Sequence, residues 1–304
     1  MSLALAHIED VALPAAPRRV RLGMPHLDAG GLAESWLFRH AGDLHWEAVS
    51  RRLGVATHDI LDDGRERLYP TVVALRARYD RPLSEAREND LFEANVEVMP
   101  CGRACAEGRV VGVAGRVRFA VELVTTFARR QSDGAMKMAL PAARLAARWS
   151  LPDVASPLAA LARAARKRQP LADDFAGPTL EPLEPMVGSL RHEPSPYADY
   201  NGARLLYFAA YPTIADTVER KLVRRLGLAL DVDADWALAT SPVRRDVFYY
   251  GNLPLGESLR AELVAFEREA RASFKTRVRL RRAGDGVVMA DVVTRRALLA
   301  EERP

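Results

Sequence analysis

Two short segments of the chain place an acid, turn residues and glycine ahead of aromatic and apolar side chains. They are Asp28-Ala-Gly30-Gly31, with Trp36-Leu37 five residues on, and Asp199-Tyr-Asn201-Gly202, with Tyr207-Phe208 at the same remove. Glycine lets a ligand approach the main chain closely, and the first amides of a helix have no internal partner. If each segment opens a helix, the amides of Gly30 and Gly31, and those around Asn201 and Gly202, could hold a carbonyl oxygen and stabilise charge developing on it. The same residues equally suit plain capping, with Asp28 closing the helix start and the glycines making the turn. His26, in Met24-Pro-His-Leu27, could donate a hydrogen bond to such a group or simply cap a turn. Tyr69, in Arg67-Leu-Tyr-Pro-Thr71, carries a phenol. It could act as a donor or, once activated, as an acyl acceptor; it could also be a core tyrosine satisfied by backbone.

Other chemistry has less support. His40 and His45 fall within the first helical pattern and read as packed or surface groups, because no third histidine or paired carboxylate has metal-ligand spacing; no metal is expected. Cys101 and Cys105 lie four apart in a glycine-containing turn, with no second pair for zinc and no secretory context for a disulfide. They read as incidental thiols.

The elements that would position these groups repeat in order. Apolar and aromatic side chains from Leu32 to Leu53 predict a helix stopped by Gly54. A strand follows over Val73 to Tyr79, its apolar side chains on odd positions, and extending that parity backwards puts Tyr69 on the inward face. More strands are expected at Leu91 to Val98, Arg109 to Val113 and Arg116 to Thr126. The chain then turns proline-rich, an extended crossover interrupted by one short helix, Leu158 to Arg168, capped by Ser156. A second helix is expected from Gly202 to Leu226, kinked at Pro212. Strands near Asp246–Tyr250, Ser258–Arg268, Ser273–Arg281 and Val287–Thr294 complete the second half. A helix clasped by a long antiparallel sheet, twice over, is a double hotdog of the α+β class, its two sheets joined edge to edge. The first unit spans 16–150, a linker 151–188 and the second unit 189–304, after a loose arm of about fifteen residues.

Bulk properties narrow the choice. The 304 residues are 49% apolar and 28% charged with net charge +4, the balance of a globular protein. No apolar run approaches the roughly 18 residues of a membrane span, and the start has no basic leader, so a cytoplasmic protein is expected. Of the 44 basic residues only Lys137, Lys167, Lys221 and Lys275 are lysines. Guanidinium groups suit phosphate-bearing substrates or an acidic carrier protein, while the lack of an aromatic-interleaved basic stripe argues against nucleic acid.

The stretches Gly23–Arg39 (GMPHLDAGGLAESWLFR), Gly42–Trp46 (GDLHW), Arg67–Tyr69 and Asp199–Pro212 (DYNGARLLYFAAYP) resemble the bifunctional acyltransferase/decarboxylases of leinamycin-type polyketide biosynthesis. The resemblance spans both halves. It implies a double hotdog that takes methylmalonyl-CoA, releases CO2 and passes propionyl to an acyl carrier protein without metal or organic cofactor, with Tyr69 as the acyl-carrying residue. Loss of CO2 leaves an enolate, which calls for oxyanion donors and an apolar pocket. The second segment also resembles the helix start of hotdog acyl-CoA thioesterases, but Ala203 stands where their histidine would be. A hotdog thioesterase or hydroxyacyl dehydratase, and a non-catalytic carrier-binding hotdog, are the alternatives; a homodimer is left open.

Overall fold

The computed structural model describes residues 17–132, 136–149, 156–167, 188–229, 235–270 and 273–299. The expected loose arm and most of the crossover lie outside them. The first half holds β1 (Arg18–Arg21), the short pair β2 (Leu27–Asp28) and β3 (Gly31–Leu32), α1 (Glu34–Leu53), β4 (Leu68–Tyr79), β5 (Leu91–Gly102), β6 (Cys105–Ala114) and β7 (Val117–Arg130). A connecting region adds β8 (Met136–Met138), α2 (Ala143–Ala146) and α3 (Pro157–Arg166). The second half holds β9 (Ser189–His192), α4 (Ala210–Leu226), α5 (Trp236–Ala239), β10 (Thr240–Tyr249), β11 (Leu259–Ala270), β12 (Ser273–Arg282) and β13 (Val288–Leu298).

Both long helices stop the same way. Gly54 and Gly227 take left-handed φ of 68° and 64°, where glycine avoids the Cβ clash. In each case the next residue's amide returns to a carbonyl in the last turn, Val55 to Ser50 and Leu228 to Val223. Ser156 caps α3 as expected, its Oγ accepting from the Ala159 amide at 2.9 Å. The second helix begins at Ala210 rather than Gly202, because residues 200–206 close a hairpin of their own. Tyr200 bridges Leu206, and the Asn201 Oδ1 accepts from the Ala203 and Leu205 amides. Pro212 therefore falls in the first turn, where its missing N–H costs no helical hydrogen bond, and it does not kink the helix.

All strands but β2 and β3 form one antiparallel sheet of order β1-β5-β6-β7-β4-β10-β13-β12-β11-β9, with β8 on β7. The last five strands repeat the first five in reverse, so a pseudo-twofold axis passes between β4 and β10. Only Ala74–Arg78 and Arg244–Phe248 pair across this junction. At its centre the buried Arg76 Nε meets the Asp246 Oδ1 at 2.5 Å. Each strand carries a β-bulge just outside the paired stretch, between Val72 and Ala74 and between Pro242 and Arg244. The extra residue reverses the side-chain alternation. Leu75, Ala77 and Tyr79 face α1, but Tyr69 pairs with Ala128 on the opposite face, together with Thr71 and Ala74. The inward placement expected for Tyr69 is corrected by that one inserted residue.

One core serves both helices, with Leu37, Phe38 and Ala41 of α1 and Ile214, Ala215 and Val218 of α4 in a single buried cluster. The other face is covered by α3, whose Leu158 and Ala159 pack on Ala74, Val124 and Phe248. The cysteine expectation is overturned: Cys101 and Cys105 form a disulfide, because the β5–β6 hairpin and its bulge bring their Cα atoms to 5.2 Å.

Inside the core lies an ion cluster. Arg245, fully buried, reaches Glu34 of α1 (Nη2 to Oε2 2.5 Å) and Asp216 of α4 (Nη2 to Oδ2 2.9 Å). Arg296 joins Asp216 to Glu219, and Thr276 donates to Glu219 at 2.7 Å. Burial works against the charged form of Asp216, but Arg245 and Arg296 outweigh it and hold the carboxyl below its usual range. The Tyr79 hydroxyl donates to Glu34 at 2.7 Å; burial and then the Glu34 charge push its pKa up.

Two outcomes are expected. Arg245→Met strips Glu34 of its cation inside the core and should cost about 3–5 kcal/mol in urea unfolding; a loss under about 1 kcal/mol would mean the cluster is idle. His45 is buried on Gly108, and desolvation lowers its pKa to about 4. The unfolded chain therefore binds a proton that the native state refuses between pH 6.5 and 4. Stability should fall across that window by about 3 kcal/mol as pH drops, and His45→Gln should lose that part of the slope.

Candidate functional site

The short junction leaves two gaps. Below Ala74, β4 has lost β10 as a neighbour, and the segment following Tyr249 passes opposite it; above Arg78 the same happens to β10. Each gap is completed by the hairpin and helix start of the other half, so both clefts are composite.

The slot beside β4 has a volume of about 160 Å³. Tyr69, Thr71 and Val72 come from the first half; Asn201, Ala203, the run Leu205–Phe208, Tyr211 and Tyr249 come from the second. Tyr69 is half-buried, the Arg67 guanidinium sits 4.9 Å from its ring centre, and its hydroxyl has no hydrogen-bond partner among the described residues. Asn201 spends its Oδ1 on two loop amides and keeps its amide nitrogen as a donor. Just ahead of α4 the amides of Phe208 and Ala209 make no hydrogen bond among the described residues. The Tyr249 hydroxyl donates to the Phe208 carbonyl at 2.9 Å and that of Tyr211 to Gly251 at 3.4 Å. Burial raises the pKa of both, and that of Tyr207 to about 12, with Asp43 adding to the rise and Arg39 opposing it. These phenols stay protonated and neutral at physiological pH.

The cleft beside β10 is larger, about 1140 Å³, and holds charged side chains. Asp28, Gly30, Glu34 and Ser35 face Thr240, Ser241 and Pro242 of β10, with Asp216 and Arg296 behind them. Partial burial raises the pKa of Asp28, against the pull of the Gly30 amide, which donates to its Oδ1 at 2.7 Å.

The predicted site residues are thus divided. Tyr69 and Asn201 share the slot; Asp28 and Gly30 share the other cleft. The first glycine pair is not at a helix start, since α1 begins at Glu34 behind the uncapped Ala33, Gly30 lies in the β2–β3 turn and Gly31 opens β3. Asp28 closes that turn rather than the helix. Gly31, at φ 104°, packs so closely on Leu83 that a Cβ would lie 2.1 Å from its carbonyl oxygen. Gly202 faces open space and lines neither cleft. His26 accepts the Gly23 amide on Nδ1 at 2.8 Å and sets its ring 4.7 Å from Trp36, closing a turn outside both clefts. The groups that sequence reasoning missed are the Phe208 amide and the Glu34–Arg245–Asp216 cluster. The only signal for the cluster was charge in otherwise apolar patterns, at Glu34, Asp216 and Arg245.

No family model and no curated protein matches the sequence. Solved structures do. A protein from Lactobacillus plantarum assigned as an oleoyl thioesterase superposes with a TM-score of 0.64 at 14% identity, over 94% of this chain and 96% of that one. The 12:0-ACP thioesterase from Umbellularia californica gives 0.62 at 9% identity over 93% and 94%. An acyl-ACP thioesterase from Bacteroides thetaiotaomicron gives 0.55 at 12% identity over 92% and 97%. At such identities the likeness speaks for the fold, and the chain is a double hotdog of the α+β class.

Proposed function

We propose that the protein processes acyl thioesters at the Tyr69 slot, by acyl transfer through that phenol, with decarboxylation where the acyl group is of malonyl type. The observation that carries this reading is the composition of the slot. Tyr69, Asn201 and Phe208 line one slot together with Val72 and Leu205, and among the described residues no carboxylate or imidazole lines it. Hydrolysis needs a base to activate water. Loss of CO2 from a malonyl thioester needs none.

In this mechanism the thioester oxygen accepts from the Phe208 amide and the Asn201 side chain. The bond to the carboxylate carbon breaks, CO2 leaves, and the electron pair becomes an enolate held by those donors in an apolar surround that disfavours the starting carboxylate. The enolate takes a proton from water, and the hydroxide so formed combines with the released CO2 as bicarbonate. The Tyr69 oxygen then attacks the carbonyl carbon, the C–S bond breaks, and the departing thiolate collects the phenol proton. A carrier thiol reverses the last step and removes the acyl group. Coenzyme A and the acyl carrier protein are the proposed partners, and no cofactor is invoked.

A second reading, hydrolysis at the other cleft, is favoured by Asp28. Its raised pKa and open position suit a general base, and the similar folds include proteins named as thioesterases.

Methylmalonyl-CoA and a holo-carrier protein, followed by CoA release and intact carrier mass, separate the two. Propionyl carrier that falls about 100-fold or more in Tyr69→Phe supports the transfer reading; undiminished transfer in that variant removes it. Free acid that vanishes in Asp28→Asn and persists in Tyr69→Phe supports hydrolysis instead.

A further inference from the structure

We propose that the apolar cavity beneath α3 receives the acyl chain of the substrate, so that the preferred acyl group is an extended alkyl chain rather than a propionyl-sized unit. This rests on the reading of the Tyr69 slot as the thioester site.

The cavity has a volume of about 950 Å³, at the upper end of the range that encloses a drug-sized ligand. It lies on the face of the sheet turned away from α1, which is the face to which the Val73 bulge delivers Tyr69. Val73 and Val124 form its floor, Ala162 of α3 its roof, and Met138, Leu140 and the Cys101–Cys105 disulfide its sides. Thr71, Val72, Met136 and Gly251 border both the cavity and the slot, so the two spaces adjoin where the reacting carbonyl would sit.

The lining decides which part of a thioester enters. Among the described residues its charged side chains are Arg103, Arg163 and Arg166, all exposed at the rim, and no carboxylate contributes. A pantetheine arm carries two amides that need hydrogen-bond partners, and the mainly valine, alanine, methionine and leucine walls offer few beyond Thr71, Thr126, Tyr250 and Asn252. An alkyl chain needs only removal from water, and the flexible Met136 and Met138 adapt to its shape. The chain therefore points into the cavity and the pantetheine arm leaves on the side of the α4 start.

S-alkyl-CoA thioethers, which have no carbonyl to react, provide the probe. Titration calorimetry with the methyl, butyl, octyl and dodecyl compounds should show affinity rising by roughly fourfold per methylene until the chain fills the space. Ala162→Trp and Thr126→Trp, from opposite walls, should flatten that rise. An octyl thioether carrying a terminal diazirine should label peptides around Met138–Leu140 or α3 in the wild-type protein, whatever the fate of the variants. Equal affinity for the methyl and octyl compounds, or labelling confined to other segments, overturns the proposal. A clear chain-length rise alongside a fully active Tyr69→Phe protein supports the cavity while removing the slot chemistry; the converse pattern removes the cavity alone.

Discussion

The whole arrangement depends on five residue pairs. Ala74–Arg78 and Arg244–Phe248 are the only stretch over which the two halves share a sheet edge, and a bulge bounds each strand just beyond it. Longer pairing would close the sheet and leave no cleft. Shorter pairing would expose Arg76 and Asp246, whose mutual neutralisation makes burial at the axis tolerable. The bulges splay the strands where pairing stops, and the gaps so formed become the two clefts.

Pseudo-symmetry makes those gaps equivalent in position and leaves them different in chemistry. The bulged residues Val73 and Val243, the axial pair Arg76 and Asp246, and the tyrosines Tyr79 and Tyr249 are each separated by the same number of positions. Tyr79 gives its hydrogen bond to the Glu34 carboxylate; Tyr249 gives its own to the Phe208 carbonyl. Where Glu34 opens one helix, Ala210 opens the other, with Phe208 two residues before it. The first choice demands Arg245 as counter-charge and draws in Asp216 and Arg296, because an unpaired ion in a core is costly. The second lets the slot stay apolar around neutral donors. One cleft is organised by charge and the other by desolvation.

The halves also support each other's site directly. At Gly42 of α1 a Cβ would come within 2.9 Å of the Phe208 ring, so glycine is what lets α1 press against the start of the opposite half's helix. Arg39, one turn earlier, donates to the Ala198 carbonyl and stacks 5.6 Å from the Tyr207 ring. The slot-forming segment of the second half is thus held by the first half's helix, and neither half carries a complete cleft alone.

How much of this was legible follows from the range of each signal. Local chemistry fixed α1 and its Gly54 stop, the Ser156 cap of α3 and the order of the strands, because helix periodicity, capping and alternation are written within a few residues. The double hotdog followed from that order. Two local errors came from reading similarity as equivalence: five residues separate the acidic motif from an aromatic pair in both copies, yet Trp36 lies inside a helix and Tyr207 lies before one. The face on which Tyr69 stands could not be read at all, since a single extra residue at Val73 inverts the alternation and bulges leave no reliable mark in composition. Nor could the pairing of Tyr69 with Asn201 rather than with His26 and the first glycines, or that of Glu34 with Arg245. Those partners are distant in the chain and meet only because strands from both halves share an edge. The sequence by itself determined which elements form and which residues have reactive groups to offer; the tertiary structure decided which of them face one another, because register and strand exchange are properties of the assembled sheet.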